Sequence, residues 1–274
     1  MSSKNYLLGV ALLVTVLSIR TPGQTVAQPS VDLDYQIGAI LFQQKAAEYR
    51  ALAYQAFNIA RLRLDTDLDK KNVKKLSKTE RNRLRAIVVD IDETVLDNSP
   101  ANAKGAKEHT PFNLNDWYAW GEMRKAKAIP GSAEFLNYAV SKGVKVFYVS
   151  NRDEVQKQAT IDNLVKAGFR DVMTDNVMLR QKDSTKEPRR IEIAAKYRIV
   201  MFIGDNLDDF SNTFERKSIS DRFAATDSAR AEWGRLFIVL PNAMYGTWES
   251  AIYEYQRLTE AQKAKIRANT LELP

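Results

Sequence analysis

The chain has 274 residues, 45% of them hydrophobic, enough for one sizeable core and an inserted subdomain. It contains no cysteine, which excludes disulfides, thiolate zinc sites and cysteine catalysis. With 41 Lys and Arg against 34 Asp and Glu, the net charge is +7, which draws anionic substrates without identifying nucleic acid as a partner.

The N-terminus reads as a targeting segment. Lys4 precedes an apolar run from Tyr6 to Ile19, and Thr25-Val26-Ala27 has the small-residue character of a cleavage site before Gln28. A run of about 14 residues is short for a membrane span. Residues 1–27 are therefore expected to be a signal peptide, with an uncleaved anchor as the alternative because Arg20 interrupts the end of the run. Cleavage implies a periplasmic or secreted protein with no stable membrane span after processing.

A helical pattern follows from about Asp34 to Leu64. Tyr49, Ala53, Phe57, Ala60 and Leu64 recur at spacings of three and four and form one apolar stripe. The stretch from Asp69 to Arg85 is basic and reads as a solvated connector, with a polyanion-binding patch as the alternative. Strands are expected at Ala86–Val89, Val144–Val149, Val177–Leu179, Ile199–Ile203 and Leu236–Leu240. Helices are expected near Ser132–Lys142, near Glu154–Ala167 and after the basic loop at Lys182. This alternation predicts an α/β fold: a parallel Rossmann-like sheet with helices on both faces. The segment from Asn98 to Ala128 is too long for a bare loop and is expected to form a small helical cap subdomain. The single histidine, His109, stands on a polar loop and reads as a surface residue.

Four polar elements stand near the ends of expected strands. They are Asp90-Ile91-Asp92-Glu93-Thr94, Ser150-Asn151-Arg152, Lys186, and Gly204-Asp205-Asn206-Leu207-Asp208-Asp209. Ligands of open α/β sheets bind at the carboxyl ends of strands. Two carboxylates at i and i+2 address one small volume, so Asp90 can act as nucleophile and Asp92 as general acid and base. A phosphate monoester repels a carboxylate nucleophile unless a hard cation removes the charge; Asp90 and Asp205 can hold Mg²⁺. The Ser150 hydroxyl and nearby backbone N–H groups can bind a phosphoryl oxygen. Lys186 places a positive charge where the transferring group spreads its negative charge. Asp209 can orient Lys186 or complete the outer shell of the metal.

These motifs resemble the haloacid dehalogenase superfamily of aspartate-nucleophile phosphatases. The runs Val89 to Ser99, Gly204 to Phe210 and Pro241 to Glu249 look like the class C acid phosphatases, the lipoprotein e group, over about Ile37 to Tyr253. The resemblance implies a phosphatase domain over residues 28–274 with Asp90 as nucleophile and Asp92 as acid and base. It implies a metal held by Asp90, the backbone carbonyl of Asp92, and Asp205. Ser150, Asn151 and Lys186 would bind phosphate, supported by Asp209, and Trp117 and Tyr245 would line the substrate site. The lipoprotein members carry a cysteine for acylation, and this chain has none.

The resemblance implies an exported, Mg²⁺-dependent acid phosphatase of the 5′-nucleotidase type, acting on small phosphomonoesters including nucleoside 5′-monophosphates. Two alternatives are a phosphatase acting on nucleic-acid ends and a non-enzymatic surface protein that binds ligands on the same fold. The aromatic-rich cap favours a small phosphomonoester substrate over a specific nucleic acid, and a homodimer is compatible with the chain.

Overall fold

The computed structural model describes residues 33–274; the expected signal peptide at residues 1–27 lies outside them. A turn at Asp34–Gln36 leads into α1 (Ile37–Lys45) and α2 (Ala47–Leu68). The single helix expected from Asp34 to Leu64 is thus divided at Ala46, whose ψ of 129° is extended, and it continues to Leu68. Tertiary packing imposes the break, because α1 meets the helix that opens the 98–128 segment whereas α2 lies on the sheet. The stripe Tyr49, Ala53, Phe57, Ala60 and Leu64 is buried throughout.

The basic connector contains two short helices, α3 (Lys70–Val73) and α4 (Lys78–Asn82), the second opened by a Ser77–Glu80 capping box. Part of its charge is structural. Arg85 donates to Asp67 at the end of α2, and Arg198 donates to the same carboxylate at 2.7 Å.

Five parallel strands form the sheet: β1 (Arg85–Val89), β4 (Lys145–Asp153), β5 (Val177–Arg180), β6 (Arg198–Gly204) and β7 (Phe237–Val239). Their order is β5-β4-β1-β6-β7, so β1 is central. Between β1 and β4 lie β2 (Leu96–Asp97), α5 (Ser99–Lys107), α6 (Leu114–Met123), β3 (Lys127–Ala128) and α7 (Ser132–Ser141). Later come α8 (Lys157–Lys166), α9 (Glu187–Lys196), α10 (Ile219–Ser228), α11 (Thr247–Ile252) and α12 (Glu260–Thr270).

Alternation along β1 explains why both faces are covered. Ile87 and Val89 join Val146, Tyr148, Met201 and Ile203 against Phe57 and Leu64 of α2 and Phe135 and Leu136 of α7. Ala86 and Val88 join Phe147 and Val149 against Ile193 of α9. Each fully buried Val, Leu, Ile or Phe contributes about 1.5–3 kcal/mol relative to exposure. The strands and their covering helices match the α/β architecture expected from the sequence.

The 98–128 segment folds as α5 and α6, and the two short strands at its base pair antiparallel, Leu96 with Ala128 and Asp97 with Lys127. Its ends are thereby pinned beside the turn that follows β1. The Asn113 side chain caps α6 by accepting from the Asp116 N–H at 2.9 Å. His109 is exposed on the loop between the two helices.

Candidate active site

The site gathers at the carboxyl ends of β1, β4 and β6. Asp90 still belongs to the sheet edge, since its N–H donates to the Ile203 carbonyl at 2.9 Å. The chain then turns tightly: the N–H groups of Val95 and Leu96 both donate to the Ile91 carbonyl at 2.9 Å. Glu93, within this turn, adopts φ of 58°, an unusual conformation for a non-glycine residue. Its buried carboxylate accepts from the Asn98 N–H at 2.8 Å and from the Tyr245 hydroxyl. Burial, reinforced by the charges of Asp92 and Asp205, pushes its pKa well above the carboxylate range.

Asp90, Asp205 and Asp209 each offer a carboxylate oxygen, and these atoms lie within 4.8 Å of one another. Lys186, at the N-cap of α9, reaches into this group, donating to Asp209 Oδ1 at 2.7 Å and to Asp90 Oδ1. Burial drives the Asp90 pKa well up; Lys186 opposes that rise, and Asp209, Asp205 and Asp92 add to it. Burial works against the charge of Lys186, but Asp209 and Asp90 outweigh it and hold its pKa above the usual lysine value.

Asp205 is oriented by two neutral donors, Thr94 Oγ1 at 2.8 Å on one oxygen and Asn242 Nδ2 at 2.9 Å on the other. Burial and the charge of Asp209 push its pKa up to about 7 against those hydrogen bonds. Two of the three carboxylates, Asp90 and Asp209, share the Lys186 ammonium, and the groups offered to a metal are all oxygen. This fits a hard divalent cation and not a thiolate or imidazole metal.

Gly204 makes the cluster possible. A Cβ built there would lie 2.5 Å from the Asp209 Cβ and 2.7 Å from its Cγ. Asp209 folds back over this glycine and accepts from the Asn206 N–H at 2.9 Å, closing a capping box around Leu207–Asp209.

Asp92 faces a different cation. Arg152 binds it through Nη2 at 2.8 Å and Nε at 3.0 Å on Oδ1, and Ser150 Oγ donates to Oδ2 at 3.2 Å. Ser150 is buried and also accepts from the Arg152 N–H at 3.1 Å. Asn151 is exposed, and its side-chain oxygen accepts from Arg189 at 2.8 Å. The geometry thus brings together Asp90, Lys186, Asp205 and Asp209, and sets Asp92 with Ser150, while the Asn151 side chain turns to Arg189. Trp117 stands over the Arg152 guanidinium, 5.4 Å from ring centroid to carbon, and Tyr245 reaches Glu93.

Sequence reasoning assigned no role to Arg152, Glu93, Thr94, Asn98 or Asn242. For Arg152 a signal existed: on an extended strand Ser150 and Arg152 share a side, so the cation after Ser-Asn points where the serine points. Asn242 and Thr94 carried no such signal, since neutral polar residues near loops serve many ends.

Residues 20–248 match the family model of HAD superfamily, subfamily IIIB (acid phosphatase). The class C acid phosphatase from Bacillus anthracis, solved with tungstate bound, is 41% identical, with 89% of this chain and 99% of that one covered and a TM-score of 0.82. A second structure of that enzyme gives 40% identity, 88% and 98% coverage and a TM-score of 0.81. Acid phosphatase 1 of Solanum lycopersicum is 28% identical over 130 residues, 44% of this chain and 50% of the relative. The stem 31 kDa glycoprotein of Glycine max is 30% identical over 128 residues, again 44% and 50%. The chain spans about half the length of the curated relatives it matches. With the family model covering most of its length and the fold recurring in the 41% identical bacterial enzyme, the chain belongs to subfamily IIIB of the HAD superfamily, the acid phosphatases.

Proposed function

We propose that this protein is an exported acid phosphatase that uses Mg²⁺ and hydrolyses small phosphomonoesters, nucleoside 5′-monophosphates among them. The observation that carries the reading is the cluster of Asp90, Lys186, Asp205 and Asp209, with Asp92 two residues away and held by its own cation. The Bacillus anthracis relative binds tungstate, an oxyanion of the same tetrahedral shape as phosphate, which supports an oxyanion substrate here.

In this reading a carboxylate oxygen of Asp90 forms a bond to phosphorus as the ester P–O bond breaks. Asp92 gives its proton to the departing oxygen. Water then attacks the aspartyl phosphate, Asp92 takes the proton from the water, and the acyl P–O bond breaks to release phosphate and restore Asp90. Proton transfer of this kind contributes about 10²–10⁴ in rate. Lys186 supplies positive charge to the transferring group, and Asp209 fixes Lys186. Ser150 and the backbone N–H of Asn151 support the phosphoryl oxygens. Asp90, the Asp92 carbonyl and Asp205 would hold Mg²⁺, which neutralises the repulsion between nucleophile and phosphate.

Residues 28–274 form the phosphatase domain, with 98–128 as its cap. Trp117 and Tyr245 line the substrate site, where stacking on a nucleobase is worth about 1–3 kcal/mol. Export rests on the character of residues 1–27. Among the described residues no helix is long and apolar enough to cross a membrane.

The test is phosphate release from p-nitrophenyl phosphate and AMP, with Mg²⁺ or EDTA, by wild type and Asp90→Asn. Metal-dependent turnover that disappears in the variant is expected. Undiminished turnover in EDTA or in the variant overturns the reading.

A further inference from the structure

We infer that Arg152 is a positioning residue that aims Asp92 at the leaving-group oxygen, and that the two tryptophans of α6 support that aim, Trp117 through Arg152 and Trp120 through Asn98. This rests on the reading of Asp92 as acid and base.

Arg152 is 2% exposed, yet it lies beside the site. Its side-chain donors are spread over three partners. Nε meets Asp92 Oδ1 at 3.0 Å and Oδ2 at 3.2 Å, and Nη2 meets Oδ1 at 2.8 Å. Nη2 also donates to Asn98 Oδ1 at 3.3 Å, and Nη1 donates to Thr160 Oγ1 at 3.2 Å. Trp117 stands over the guanidinium. A planar fork fixed in this way fixes the plane of the carboxylate it grips.

The second support comes from the same helix. Trp120 Nε1 donates to Asn98 Oδ1 at 2.8 Å, and Asn98 Nδ2 donates to Asp92 Oδ1 at 2.8 Å. Trp117 and Trp120 therefore reach Asp92 by separate routes, one through Arg152 and one through Asn98. In this arrangement α6 holds the acid and base in addition to covering the site.

The two oxygens of Asp92 end up unequal. Oδ1 receives three donors, from Arg152 Nε and Nη2 and from Asn98, at 2.8–3.0 Å. Among the described residues, Oδ2 receives Ser150 Oγ and the shared Nε, both at 3.2 Å. A carboxylate has about four lone-pair sites. Oδ1 is held by three close donors, whereas the two contacts of Oδ2 are longer and one comes from a hydroxyl that can turn to accept, so Oδ2 is the atom left to carry and deliver a proton. The Asp92 side chain is 18% exposed against 1% for Arg152, so the pair offers the carboxylate and keeps the cation behind it. Stability alone does not require such a pair, because apolar replacements of buried ion pairs are often as stable.

The consequence is a dependence on the leaving group. An alkoxide must be protonated as it leaves, whereas a dinitrophenolate leaves unaided. The parameter to follow is kcat/KM, which reports the steps up to departure of the leaving group. It is measured at saturating Mg²⁺ on glycerol phosphate and on dinitrophenyl phosphate for wild type, Asp92→Asn, Arg152→Met and Trp117→Leu. Arg152→Met is expected to lose about 10²-fold on the alkyl ester and less than about threefold on the dinitrophenyl ester, following Asp92→Asn in pattern. Trp117→Leu is expected to lose about tenfold on the alkyl ester alone. Arg152→Lys, which keeps the buried charge but cannot form the fork, carries the same criterion if Arg152→Met does not fold. Equal losses on both esters in the Arg152 and Trp117 variants, beside a graded loss in Asp92→Asn, overturn the inference and leave the role of Asp92 standing. Equal losses in Asp92→Asn itself remove that role and the inference with it.

Discussion

Lys186 bridges Asp90 and Asp209, two carboxylates that reach it from the ends of different strands. Its Nζ lies 2.7 Å from Asp209 Oδ1 and donates to Asp90 Oδ1 as well, with all three side chains buried. One ammonium thus holds the proposed nucleophile and ties the loop after β6 to the edge of β1. Removing it leaves two buried acids without their cation. Lys186→Met is expected to destabilise the metal-free protein by about 3–5 kcal/mol. Added Mg²⁺ is expected to recover part of that loss, and turnover is expected to fall by at least about 10²-fold. Thermal melts with and without Mg²⁺, beside turnover on p-nitrophenyl phosphate, check both parts.

Gly204 is where the backbone must lack a side chain. Its missing Cβ leaves the space that Asp209 occupies, with the Asp209 Cβ only 2.5 Å from where the added atom would stand. Gly204→Ala is expected to push the whole Asp209 side chain away, free Lys186, and lower turnover by at least about tenfold, the scale of an overpacked site costing about 1–3 kcal/mol. A crystal structure of the variant should show the contact between Lys186 and Asp209 broken.

Asp67 contributes to the response of the fold to acid. Burial works to raise its pKa, but hydrogen bonds from Arg198 and Arg85, together with their charges, outweigh it and hold the carboxyl below the usual range. A depressed folded pKa stabilises the protein above the unfolded value, and that contribution is lost as pH falls through the folded value. Asp67→Asn is expected to cost about 1.5–3 kcal/mol at pH 7, since it removes hydrogen bonds to charged donors. The gap to wild type should close as pH drops below about 4. Urea unfolding at a series of pH values measures this directly; a gap independent of pH contradicts it.

Tyr245 is expected to separate substrates. Its hydroxyl donates to Glu93, which fixes the ring beside the turn that carries Asp92. Loss of a stacking ring costs about 1–3 kcal/mol per base. Tyr245→Leu is therefore expected to raise KM for AMP by about tenfold and to leave KM for glycerol phosphate within about threefold. Steady-state kinetics on both esters decide it.

Much of this architecture was readable because buried parallel strands are near-continuous apolar runs. Ala86–Val89, Val177–Leu179 and Ile199–Ile203 were expected within one residue of β1, β5 and β6 at each end. The acids at their ends stood out because a charge directly after such a run has few structural reasons to be there. The break at Ala46 was invisible, since alanine is the best helix former and only the packing of α1 on α5 demands a bend. Arg85 was read as part of a solvated connector because its partner, Asp67, is brought to it by the fold. Arg152 shares a strand side with Ser150, which points it at the site, but its partners are likewise brought to it by the fold. A single basic residue at a strand end says little until Asp92, Asn98 and Trp117 are seen around it.

The most direct test of the central claim is to trap the phosphoryl group on the protein. Wild type is mixed with p-nitrophenyl phosphate and Mg²⁺, quenched during turnover, reduced with borohydride and mapped by mass spectrometry. The account expects position 90 converted from aspartate to homoserine, with no conversion in Asp90→Asn. Sustained turnover without conversion at position 90, or conversion at Asp205 in its place, would contradict it.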